Sequence, residues 1–133
     1  MSDFGVNILT PDELQEVCAE WKCRLRLDAW DIMINFYRHR EFYSEEECVG
    51  ENTYELRKCE SVIRIIDPLD YPANANFPLD MEVVVVHELL HLLFATFEPE
   101  EKTLSHDMWE QTIERLAKTL VYTKREKKGD TSK

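Results

Sequence analysis

Positive charge is scarce in this chain: 16 lysines and arginines stand against 27 aspartates and glutamates, a formal net charge of −11. A nucleic-acid binder needs a basic footprint to displace counterions from phosphates, so nucleic acid is not an expected partner. An anionic membrane surface is disfavoured on the same electrostatic ground. Long apolar runs are missing too. The most apolar stretch, Val83 to Phe97, is broken by His87, Glu88 and His91 and is too short to span a bilayer. The opening residues Met1-Ser2-Asp3-Phe4-Gly5 carry neither the basic nor the apolar segment of a secretory leader. Glycine occurs only three times and proline five, and no Gly-, Pro- or Ser-rich linker and no internal repeat divides the 133 residues. That length suits one compact domain. The four cysteines (Cys18, Cys23, Cys48, Cys59) read as free thiols of a cytoplasmic protein. A monomer is the expected state.

What is present is enough for a core, with 44% apolar and 11% aromatic residues. Thr10-Pro11-Asp12-Glu13 combines an N-cap, a proline at the first helical position and a capping-box glutamate. With Leu14, Val17, Cys18, Trp21 and Leu25 at helical spacing, it predicts a helix over 11–25. Trp30, Ile32, Ile34 and Phe36 alternate with Asp31, Met33, Asn35 and Tyr37, the period of a half-buried strand. The acidic segment Glu41 to Glu47, with its Glu45-Glu46-Glu47 run, reads as a solvated loop. Thr53 to Arg57 and Ser61 to Ile66 read as two more strands, and Asp67 to Pro72 as a loop broken by two prolines. Helices are expected over 78–97 and from 105 into the early 120s, the latter carrying Trp109, Ile113, Leu116 and Leu120 on one stripe. The order of one helix, three strands and two helices is that of an α+β domain over 1–123. Residues 124–133, polar and largely basic, are expected to form a flexible tail. Trp21, Trp30 and Trp109 fall on apolar faces and read as core.

The chemistry is concentrated in His87-Glu88-Leu89-Leu90-His91. Histidines four apart lie one turn up the same helix face and can converge on one ion. Glu88 projects from nearly the same side, where it can reach a water without ligating the metal. This is the HExxH arrangement of zinc-dependent hydrolases. The surrounding stripe of Leu79, Val83, Val86, Leu90, Leu93 and Phe97, widened by Val85, Leu89 and Leu92, makes the helix apolar nearly all round, hence buried. Buried polar side chains need partners, and a divalent cation supplies one. The bland alternative is a pair of satisfied core histidines. A catalytic zinc takes three protein ligands and a water. The candidates for the third are His106, Asp107, Glu110 and Glu114, and both glutamates border the buried face of the last helix.

Together, His87-Glu88-x-x-His91 and Glu110-x-x-x-Glu114 resemble the gluzincin metallopeptidases, in particular their minimal single-domain members. The resemblance spans residues 30–121, although only the two helical motifs are specific. It implies a zincin-like fold: an N-terminal helix, a small three-stranded sheet, an active-site helix and a glutamate-bearing C-terminal helix. It implies Zn2+ held by His87, His91 and Glu110, with Glu114 orienting one imidazole. The implied activity is hydrolysis of peptide bonds in a peptide or protein substrate, through a metal-activated water with Glu88 as general base. The substrate would lie as an extended strand against a sheet edge, from Thr53–Arg57 or Ser61–Ile66. Tyr71, Tyr122 and His39 are weaker candidates for stabilising an oxyanion. The competing reading is a zinc-binding regulatory or protein-interaction module with little turnover. Retention of Glu88 favours the enzyme, because a structural zinc needs no general base.

Overall fold

The computed structural model describes residues 7–44, 48–72, 75 and 77–131; the expected loop glutamates at 45–47 lie outside them. It is an α+β arrangement of three helices and one three-stranded mixed sheet. In chain order the elements are α1 (Pro11–Arg24), β1 (Asp31–Tyr37), β2 (Gly50–Glu55), β3 (Glu60–Ile66), α2 (Met81–Leu93) and α3 (Leu104–Thr131). The capping box expected at the start of α1 forms in full. Thr10 accepts from the Glu13 amide, and the Glu13 carboxylate accepts from the Thr10 amide.

The strand order is β1-β3-β2, with β1 parallel and β2 antiparallel to the central β3. Since residues opposite one another share a face, the register Ile34↔Ile63 and Asn52↔Ile63 fixes which side chains turn inward. Ile34 and Ile63 from β1 and β3, with Ile65, are buried. The inward positions of β2 are instead Gly50, Asn52 and Tyr54, an unusually small and polar set for a face that meets a helix. Of the two strands expected to offer a substrate edge, the one over Ser61–Ile66 is corrected here. β3 is paired on both sides, and the edge beside α2 is β2.

α2 packs against β2 and β3, α1 and α3. This accounts for its burial almost all round, from Met81 through Leu92. It is shorter than the apolar pattern suggests. Asp80, not a residue near Pro78, caps it by accepting from the Val83 amide, and the helix closes at Phe94 before a 3-10 turn over Ala95–Phe97. Leu93 and Phe97, expected in the core, are exposed at 42% and 72%. On α3 the deepest stripe is Ile113, Ala117 and Val121, displaced by about one position from the expected one. Trp109, Leu116 and Leu120 flank it.

The expected flexible tail from residue 124 is also corrected. α3 continues to Thr131, and Lys124 and Arg125 are pinned against the N-terminal end of α2. Arg125 forms two hydrogen bonds to Asp80 at 2.7 and 3.0 Å, and Lys124 donates to Glu82 at 2.6 Å. Sequence composition hid this because the partner carboxylates sit more than forty residues upstream.

Candidate metal centre

His87 and His91 face α3 from one side of α2, and Glu110 and Glu114, also one turn apart, face back from α3. Three atoms converge: His87 Nε2 and His91 Nε2 are 3.2 Å apart, and Glu110 Oε1 lies 3.2 Å from His91 Nε2 and 3.6 Å from His87 Nε2. Among the described residues these three form the group able to hold a metal ion. The donor set fits such an ion. Metal–nitrogen bonds of about 2.0–2.1 Å at tetrahedral angles place ligand atoms about 3.3 Å apart, which is the spacing seen.

The fourth member orients the first. Glu114 Oε1 is 2.7 Å from His87 Nδ1, so Nδ1 donates to Glu114 and Nε2 is the nitrogen turned toward the cluster. The surroundings favour one added positive charge. Burial works against a His87 imidazolium, yet the adjacent Glu110 and Glu114 carboxylates outweigh it and push the imidazole up to about 10. His87 and His91 together hold the Glu110 carboxyl well below the usual carboxylate range, against its partial burial, and His87 lowers Glu114 as well.

Glu88 points toward the start of β2, where its Oε2 lies close to Gly50. It is 6% exposed, and burial pushes its carboxyl upward, offset in part by His87 and His91. A carboxylate whose charge is disfavoured takes up a proton readily, which is the property a general base needs.

The other sequence candidates are elsewhere. His106 turns to Glu98, with Nε2 3.6 Å from its Oε2, and its ring packs 5.5 Å from Trp109. Asp107 is exposed in the first turn of α3 and does not join the cluster. His39 is exposed and stacks on Phe42. The Tyr71 hydroxyl donates to the Phe77 carbonyl. Tyr71 and Tyr122 both line a cavity of about 340 Å³ that reaches Glu114 and is otherwise mainly apolar, with Val49, Val83 and Val84. Trp109, read as core from the sequence, is half-buried with its ring edge-on to His91 at 5.0 Å. Sequence reasoning missed Gly50 and Asn52, which touch Glu88 from β2. The available signal was a lone glycine at the start of a strand, a common mark of close approach.

No protein-family model matches the chain, and it matches none of the curated proteins and none of the solved structures with which it was compared. Among the described residues no helix is long and apolar enough to cross a membrane.

Proposed function

We propose that this protein is a zinc-dependent metallopeptidase of zincin-like fold, with His87, His91 and Glu110 as metal ligands. The observation that carries the reading is the mutual spacing of 3.2, 3.2 and 3.6 Å among the three donor atoms. A bound zinc supplies Lewis acidity, acidifying a coordinated water and polarising a carbonyl. The chain does the rest. Glu114 fixes the tautomer of His87. Glu88 accepts the proton from the attacking water and passes it to the leaving amine.

The sheet supports a peptide substrate. The Ile66 amide bonds the Val49 carbonyl, which sets the alternation of the hairpin, so the backbone groups of Gly50, Asn52 and Tyr54 point away from β3. An extended peptide can pair with this edge beside the metal centre, and the adjoining 340 Å³ cavity can accept one of its side chains. Four free cysteines fit a reducing, cytoplasmic setting.

Elemental analysis of protein purified without added metal should give about one zinc per chain. Glu88→Gln should keep that zinc while peptide cleavage falls by about 10²–10⁴-fold, read by mass spectrometry on a mixed peptide library. Zinc retained without cleavage by the native protein would favour the binding module. Absence of zinc, and no thermal stabilisation on adding it, would overturn both.

A further inference from the structure

We infer that β2 is the seat of Glu88, with Gly50 and Asn52 as positioning residues that fix the carboxylate and the backbone of that residue against the substrate edge. This rests on the reading of Glu88 as general base. The first contact is one of space. A Cβ added at Gly50 would lie 2.9 Å from Glu88 Oε2 and 2.9 Å from Val84 Cγ1, well inside ordinary van der Waals distance. The backbone does not require glycine, for no glycine of the described chain has positive φ. The requirement is the volume itself, which the Glu88 carboxylate uses. Of the two neighbours, the end of the Glu88 side chain is the more able to move, so any side chain at position 50 is paid for in the placement of that carboxylate.

The second contact fixes the backbone. Asn52 Nδ2 donates to the Glu88 carbonyl oxygen at 2.8 Å, and the buried Ser61 Oγ donates to Asn52 Oδ1 at 2.6 Å. Three elements are thereby joined in sequence: β3 through Ser61, β2 through Asn52, and α2 at Glu88. Gly50 and Asn52 are also two of the residues whose backbone groups face the free edge. A peptide pairing there would be aligned by the same two residues that hold the base, so the attacked carbonyl and the proton acceptor share one reference frame.

The test is a double-mutant cycle of Gly50→Ala with Glu88→Asp, whose shorter side chain withdraws from the added methyl. In the zinc-loaded native background Gly50→Ala should lower kcat at least tenfold, leave KM within twofold and keep one zinc per chain. In the Glu88→Asp background it should change kcat less than threefold. The same cycle read by thermal unfolding, with no need of activity, should show Gly50→Ala lowering Tm by about 4 °C or more, and by less than half that beside Asp. A companion cycle with Val84→Ala should recover only the smaller remaining part of the Tm loss and leave the kcat loss unchanged. Undiminished kcat in Gly50→Ala, or equal Tm losses in both backgrounds, would overturn the inference. Should the native protein bind zinc and cleave nothing, the peptidase reading fails, and the Tm cycle alone decides whether Gly50 seats Glu88.

Discussion

The two ends of α2 both carry buried acidic chemistry on an apolar helix, and they resolve it in opposite ways. At the N-terminal end Asp80 and Glu82, 9% and 5% exposed, meet cations from the chain itself. Arg125 grips Asp80 with two hydrogen bonds, and Glu82 receives Lys124, Arg125 and the Trp21 indole. At the C-terminal half, His87, His91 and Glu110 converge with donor atoms at metal-ligand spacing, and Lys118 sits half-exposed at the rim, 3.3 Å from the far oxygen of Glu114. The first cluster is complete within the protein. The second has the donor spacing to hold a cation from solution, and this contrast is what sets the proposed metal centre apart from a structural ion-pair network.

The largest effect should come from opening the closed cluster. Glu82→Ala leaves Lys124 and Arg125, each about 15% exposed, without their shared carboxylate. A loss of about 3 kcal/mol is expected in urea unfolding, with or without zinc, because the buried Trp21 indole and one donor each of Lys124 and Arg125 lose their acceptor, although Glu20 and Asp80 still face the two cations. Next in size, Glu114→Gln should leave the fold intact and weaken zinc affinity about 10–100-fold, measured by competition with a chromophoric chelator.

Acid should separate the clusters in order. Zinc must displace a proton from His87, whose imidazole is pushed up to about 10, so zinc affinity should fall steadily as pH is lowered from 9 toward 6. For Glu82, burial raises the carboxyl, but Lys124, Trp21 and Arg125 outweigh it and hold it below the ordinary 4.5. Its stabilisation is therefore present above 4.5 and is lost as pH drops through the lower folded value. Zinc release monitored by dye should precede unfolding monitored by tryptophan fluorescence. The smallest expected effect is His106→Ala, which should change zinc affinity less than twofold, since that ring belongs to Glu98 and Trp109.

Local signals carried much of this into the sequence. Thr10, Pro11 and Glu13 announce α1 because capping is a contact over three residues, and the two-residue period of β1 reports a single buried face. His87, Glu88 and His91 are legible for the same reason, since one helix sets their spacing. For the third position the residues alone left Glu110, Glu114 and His106 open, because they stand at successive four-residue steps and the packing of α3 on α2 decides among them; the resemblance pointed to Glu110, the one that lies beside both histidines. Strand order was hidden as well. Nothing local in Ser61 to Ile66 says that it will be paired on both sides, or that β1 will run parallel to it. The ends of α2 were misplaced because Leu93 and Phe97 continue the apolar rhythm past the point where the helix leaves the core. Lys124 and Arg125 looked like solvated tail residues, since their partners are distant in the chain.

α3 is one continuous helix of 28 residues, and it carries Glu110 and Glu114 near one end and Lys124 and Arg125 toward the other. About three turns, some 16 Å, separate Glu114 from Arg125, so both meet α2 from nearly the same side. The helix therefore acts as a ruler with two marks. Adding or deleting a single residue between those marks would turn one against the other by about 100° and move it along the axis by about 1.5 Å. A chain anchored at Asp80 would then present the wrong flank of α3 to His87. Length variation within this segment should be tolerated only in steps that restore the phase.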